Sequence, residues 1–342
     1  MIGMEYWIIG VMEEWRKRFF SRQSACGGRI RMTAMDSRPA ESGQALRGKD
    51  KCMDMKQKVK ILFELTKIKI TIFVMVTTML GYICALGGID WGIILPSMGL
   101  LLVACGSAVI NHYQERNTDA LMARTKNRPI PSGRISPFNA LIISVVLIVT
   151  GFVILTLSGG ILAGCLSLLN IIWYNGIYTP LKKRTPLAII PGSMVGAIPP
   201  AVGWVSAGGE LSDPKIIILS FFFFIWQIPH FWLLLSELAK DYEKAGFPTF
   251  SKLFTQAQFS RIIFMWIAAT VISVLLIPLF GIVRNPFINV AMLSAGIWLT
   301  YSAARLLKPD NDKIVYRYAF RQINIFAIII VVLLSVDKLF IL

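Results

Sequence analysis

Apolar runs of about twenty residues, long enough to cross a bilayer as a helix, follow one another along this chain once its polar N-terminal stretch is passed. The pattern predicts nine spans, at 69–86, 92–113, 137–157, 161–178, 187–207, 216–235, 262–282, 286–306 and 321–342. The connections between them alternate in charge. One set holds the N-terminal lysine cluster, then Arg116, Arg124, Lys126, Arg128 and Arg134, then Lys182, Lys183 and Arg184. It continues with Lys240, Lys244 and Lys252 and ends with Lys308, Lys313 and Arg317. The other set ("GGIDW", "SGG", "AGGELSDPK", "GIVRN") has little beyond Lys215 and Arg284. Basic residues gather in cytoplasmic loops. The pattern therefore predicts an all-α, polytopic membrane protein with its N-terminus and long polar loops in the cytoplasm and its C-terminus outside.

Composition agrees. Of 342 residues, 55% are hydrophobic and 16% charged, against about 25% charged in an ordinary soluble domain, and the mean hydropathy is +0.64. A net charge of +16 raises the question of nucleic acid, but topology accounts for it, and no nucleic-acid partner is expected. Cys26, Cys52, Cys84, Cys105 and Cys165 show no metal-ligand spacing, and the last three lie in apolar runs, so they read as small buried hydrophobes. Residues 1–59 are basic and rich in Gly and Ser, which predicts a disordered cytoplasmic extension ahead of a membrane domain over 60–342. Its "YWIIGVM" is short and followed by Glu13 and Glu14, unlike a cleavable signal. Met53 and Met55 stand as alternative starts.

The second span runs into "NHYQERNTDALMARTKNRP". Asn111, Glu115 and Asp119 are spaced i, i+4, i+8, so on a continuing helix an amide and two carboxylates share one face at the membrane mouth. The sixth span ends in the same way, with Glu237 and Asp241 four apart. A single acidic pair at such a boundary is an ordinary solvated helix end. Two clusters at matching positions, as a four-helix pseudo-repeat would produce, point instead to hard cations, and Mg2+ favours a few carboxylates plus phosphate oxygens. Arg124, Lys126 and Arg128 are suited to the phosphates. The combination describes a site for a substrate with a diphosphate head and an apolar tail.

The motif N-x-x-x-[DE]-x-x-x-D followed by "MARTKNRP" resembles the first acidic motif of the UbiA family of intramembrane prenyltransferases, and Glu237-x-x-x-Asp241 resembles its second. Glu115 stands where Asp is common. The resemblance covers the chain from about Lys60 onward. It implies a nine-helix bundle around a central cavity, in the cell (inner) membrane, with a cytoplasmic mouth and Mg2+ as cofactor. "YTPLKKRTPLAIIPGSMVGAIPPAVGW", "WQIPHFWLL" and "KDYEKAGFP" narrow it to the haem-farnesylating branch. That branch implies farnesyl diphosphate and haem B as substrates, with membrane lipid, haem A synthase or terminal oxidase assembly factors as partners. Carried over by position, Asn111, Glu115, Asp119 and Asp241 are the catalytic set, joined by Glu237 as metal ligands. Arg124, Lys126, Arg128, Lys182 and Lys183 face diphosphate, and His230 and Tyr178 face the haem acceptor.

His230 has an argument of its own, because an ionisable residue within a span is a functional candidate. It stands for iron, for a propionate, or as a cap on carbonyls freed by Pro229. His112 reads as a neighbour of the first cluster. Gly192, Gly196 and Gly203 suggest close helix packing or clearance for a flat ring, with Pro199–Pro200 expected to break the helix. Lys182, Lys183 and Arg184 serve either topology or phosphate and propionate binding. Two rivals are a prenyltransferase for a quinone-type acceptor, which would lack "PHF" and "YTPLKKRT", and an ion-coupled transporter, which would place polar residues near mid-membrane.

Overall fold

The structure is a computed structural model that describes residues 54–250, 253–308 and 313–339; all but the last part of the 1–59 extension, Lys252 and Leu342 lie outside them. The helices are α1 (Met55–Thr66), α2 (Ile68–Leu86), α3 (Ile94–Leu121), α4 (Pro137–Ile171), α5 (Met194–Ser206), α6 (Pro214–Lys244), α7 (Gln256–Leu276), α8 (Pro286–Ala303) and α9 (Lys313–Leu339). Among the described residues, eight helical runs are long and apolar enough to cross a membrane. The chain is a multi-pass membrane protein.

The third and fourth expected passes share one of these runs and are separated by a turn inside α4. At 1.5 Å per residue, the 45-residue run Pro137–Leu181 would greatly overshoot a bilayer core of about 30 Å. It breaks at Gly160 (φ 83°, ψ 165°), a conformation open to residues without a Cβ. The chain then doubles back, bringing Gly164 against Phe152 and Thr156. The expected spans 137–157 and 161–178 are the two arms of this hairpin.

Helix starts follow from short polar signals. Ser136, Asp213 and Asn285 each precede a proline at the first helical position and accept a backbone N–H from Asn139, Lys215 and Phe287 at 3.1, 2.8 and 2.9 Å. Proline's missing N–H costs nothing there, and each cap is worth about 1 kcal/mol. Thr255 and Gln258 form a reciprocal capping box at α7.

In lipid, helices associate through close packing at small residues. A methyl on Gly203 would collide with the Thr78 carbonyl, and one on Gly81 with that of Pro200, so α2 and α5 meet backbone to backbone. Gly196 makes way for the Gln227 side chain and Gly192 for the Tyr178 ring. Pro199 and Pro200 do not break the helix as expected: both lie inside α5, and the interruption falls at Ser193. A proline ring presses on the carbonyl four residues earlier, which displaces the disturbance toward the N-terminal side. Of "FFFFIW", Phe222 and Phe223 are buried while Phe221 is exposed.

Candidate active site

Five elements converge where α3 leaves its apolar run. Helix α3 continues to Leu121 and carries Asn111, Glu115 and Asp119 on one face, all buried. Each polar group is matched. Asp119 takes both oxygens onto Nη1 of Arg128, at 2.9 and 2.8 Å, while Thr125 caps its carbonyl at 2.8 Å. Glu115 is ion-paired with buried Lys182. Asn111 accepts from Lys67 Nζ at 2.8 Å and donates to Thr179 Oγ1 at 3.3 Å.

Lys67 is the residue the sequence reading missed. It is the one non-glycine residue with positive φ (48°) among the described residues, it separates α1 from α2, and its side chain is buried. A left-handed lysine costs about 1–2 kcal/mol, and here the bend turns an ammonium inward onto Asn111. Its only sequence signal was membership of a basic cluster.

The opposite wall is a π-helix, Ile172–Tyr178, extending α4. The wider turn collects Tyr174, Asn175 and Tyr178 on the buried side. Asn175 is tied to α3, accepting from Ser107 Oγ at 2.5 Å and donating to the Ser107 carbonyl at 3.1 Å, while its own carbonyl accepts from Gln114 at 3.0 Å. Tyr178 stacks on Tyr174 and Phe231, with ring centroids 5.9 and 6.0 Å away, and Lys182 Nζ lies 5.4 Å from its ring centre. Burial alone would lower the Lys182 ammonium's pKa, but the Glu115 carboxylate holds it above the ordinary lysine range. Lys183 and Arg184, next along the chain, are exposed and line an open groove of about 320 Å³ with Gln114 and Thr179. Lys126 is exposed and Arg124 half-buried.

The second acidic motif is differently placed. Asp241 is half-buried on α6, and Glu237 accepts from exposed Arg317 of α9 at 2.8 Å. Tyr242, buried beside Asp241, faces the charges of Lys182, Glu115, Arg124 and Arg128 and so links α6 to the first cluster. Among the described residues no three His, Cys, Asp or Glu side chains stand together as a metal cage, and Glu115, Asp119 and Glu237 are each paired with a base. The donor chemistry still fits Mg2+: Asn111, Glu115 and Asp119 offer one amide and two carboxylates, all hard oxygens, from one helix face.

Deeper in the bundle, a cavity of about 300 Å³ lies between α2, α5, α6 and α9, lined among others by Phe73, Val195, Trp226, Gln227, His230 and Val331. Val195 also packs with Tyr174 and Tyr178, so cavity and polar site share a wall. His230 is buried with Nδ1 2.7 Å from Asn324 Oδ1, and its ring packs against Trp226 at 4.7 Å and Phe320 at 5.2 Å. Asn324 donates to the Phe320 carbonyl at 2.6 Å, which makes its oxygen the acceptor and His230 Nδ1 the donor. His230 thus has a side-chain partner on α9 rather than capping a carbonyl at Pro229. Its Nε2 is the nitrogen left for the cavity.

A helical bundle with a buried acid–base cluster at one end and a largely apolar cavity sharing a wall with it is the architecture of an intramembrane enzyme. The chain belongs to the UbiA prenyltransferase family, whose profile matches residues 74–325. It is 31% identical to a protoheme IX farnesyltransferase of Oleidesulfovibrio alaskensis over 80% of this chain and 95% of that one. It is 41% identical to the protoheme IX farnesyltransferase of Geobacter sulfurreducens over 54% of this chain and 68% of that one. Among solved structures, it matches a digeranylgeranylglyceryl phosphate synthase with TM-score 0.69 and 20% identity, covering 83% of this chain and 99% of that one. A UbiA homologue from Archaeoglobus fulgidus bound to GPP and Mg2+ matches with TM-score 0.54 and 13% identity, over 80% and 99% of the two chains. These likenesses establish the UbiA fold.

Proposed function

We propose that this chain transfers the farnesyl group of farnesyl diphosphate to a vinyl group of haem B, with addition of water, giving haem O and diphosphate. The observation that carries the reading is the pairing of every first-cluster side chain with a cation beside a largely apolar cavity lined by a histidine. The relatives named protoheme IX farnesyltransferase supply the acceptor.

In this reading Asn111, Glu115, Asp119, Glu237 and Asp241 are the oxygen donors for Mg2+, and the A. fulgidus homologue bound to GPP and Mg2+ supports that class of site. Bound there, Mg2+ supplies charge neutralisation for the departing diphosphate. Arg128 and Lys182, freed from their carboxylates, turn to the phosphate oxygens, with Arg124, Lys126 and Lys183 at the rim. The allylic C–O bond breaks with its electron pair on the diphosphate. Tyr174, Tyr178 and Phe231 offer π faces to the resulting cation and keep bulk water out. The vinyl group of haem adds to the farnesyl carbon, water captures the cation left beside the porphyrin ring, and a proton is released. His230, fixed by Asn324, presents Nε2 to the haem. The mouth faces the cytoplasm, as the loop charges require, and the catalytic domain is 60–342.

The test is the pigment profile of membranes made with and without this chain. Haem O, more apolar than haem B, should appear as a later-eluting species only with the chain. An unchanged haem B profile alongside a newly prenylated aromatic acceptor would overturn the assignment.

A further inference from the structure

His112 has no role in that reaction as set out, yet its environment is hard to explain without a ligand. It is buried on α3, and neither ring nitrogen has a hydrogen-bond partner among the described residues. Buried polar groups in folded proteins are almost always satisfied, so two orphaned nitrogens on one side chain call for a cause. At about 100° per residue, His112, Glu115 and Asp119 fall within roughly 60° of helical arc, His112 only about 20° from Asp119. The charges of Lys67 and Arg128 act on its ring, and these are the two bases that hold Asn111 and Asp119 at either end of the cluster. A buried imidazole in the field of two cations and lacking an acceptor of its own is complementary to an anion.

We propose that His112 is a substrate-contacting residue that donates a ring N–H to a phosphate oxygen of the prenyl diphosphate, between Lys67 and Arg128. The inference rests on the diphosphate reading of the site and adds α1–α2, through Lys67, as a third wall of it. Lys67, which donates to Asn111 in the free site, would turn to the same phosphate group. The bland alternative is a packing residue, since Val109 and Tyr113 on the same helix pack against Ile61, Leu65 and Ile130.

The chain has only two histidines, so 15N-histidine labelling of the whole protein in lipid nanodiscs gives two ring signatures, assigned with His230→Gln. Adding inorganic pyrophosphate with Mg2+ should move the His112 nitrogens and leave those of His230 in place. In parallel, His112→Phe keeps the ring volume but no donor, and should weaken pyrophosphate binding by about tenfold or more, the loss of a hydrogen bond to a charged group. His112→Gln, which keeps a donor, should recover most of the affinity, and haem B binding should not change in either variant. If pyrophosphate binds and depends on Asp119 while the His112 signals stay still, His112 is packing and this inference alone is overturned. Should the wild-type chain bind no pyrophosphate, the diphosphate reading falls first and takes this one with it. Because the wild-type spectrum needs no variant to fold, a misfolded substitution does not blunt the test.

Discussion

Two clusters of buried charge sit at opposite ends of the bundle, and they are satisfied in different ways. Near the C-terminus of α9, buried Asp337 accepts the backbone N–H groups of Arg284 and Asn285 at 3.1 and 2.9 Å, and pairs with Lys338 at 3.2 Å. Lys338 in turn donates to the Ile282 carbonyl. Backbone partners cannot leave, so this pair is a latch between α9 and the loop joining α7 to α8. At the other end, Asn111, Glu115 and Asp119 are answered by the long side chains of Lys67, Lys182 and Arg128, which can swing away without unfolding a helix. A buried charge held by backbone is structural. One held by releasable side chains is poised for a ligand.

That contrast can be broken by substitution. The largest effect on turnover is expected from Asp119→Asn, which removes a metal ligand and the partner of Arg128. Product formation should fall by at least on the order of 10²-fold, with the protein still inserted, measured as haem O formed per mole of folded chain. Near-normal turnover at excess Mg2+ would remove Asp119 from the site. Asp337→Asn should act on the other quantity, lowering stability by about 3 kcal/mol because Lys338 stays buried without its counter-charge. Thermal unfolding in detergent reads this, and activity per folded molecule should be unchanged. Asp241→Asn should also suppress turnover, by up to the order of 10²-fold, with little change in stability, since its side chain is only half-buried. Glu237→Gln is the smallest case, because its partner Arg317 is exposed and such pairs contribute roughly 0–1 kcal/mol. Its fold stability should stay within that range.

The Lys182–Glu115 pair adds a pH test with a definite sign. The folded pKa of Lys182 is raised above the ordinary 10.5, so its contribution to stability is complete below that value and lost only as pH climbs through the higher folded pKa. The stability difference between wild type and Lys182→Met should therefore stay flat from neutral pH to about 9.5. A steady decline across that window would mean the pair is not formed in the membrane.

Much of this was legible in the sequence for a physical reason. Lipid demands long apolar runs with every backbone group bonded within the helix, so the spans announce themselves, and i, i+4, i+8 spacing places Asn111, Glu115 and Asp119 on one face without any tertiary knowledge. The hairpin at Gly160 was readable as a gap between two apolar runs. What the sequence hid depends on contacts between distant segments: the left-handed turn that sends Lys67 to Asn111, the π-helix that turns Asn175 toward Ser107, and Asn324 as the partner of His230. The acidic motifs were read as one matched pair, yet the first is buried and enclosed by bases while the second stands at the edge with Glu237 on Arg317. Spacing specifies a helix face, and only packing decides what that face meets.

The most direct test of the central claim uses the purified chain in lipid nanodiscs with farnesyl diphosphate, haem B and Mg2+, following haem products by mass and diphosphate by release. Wild type should yield a haem heavier by one farnesyl group and one water-derived hydroxyl, with one proton and one diphosphate released per product, and Asp119→Asn should yield neither. Diphosphate release without any change in the haem, or equal yields from the two proteins, would contradict it.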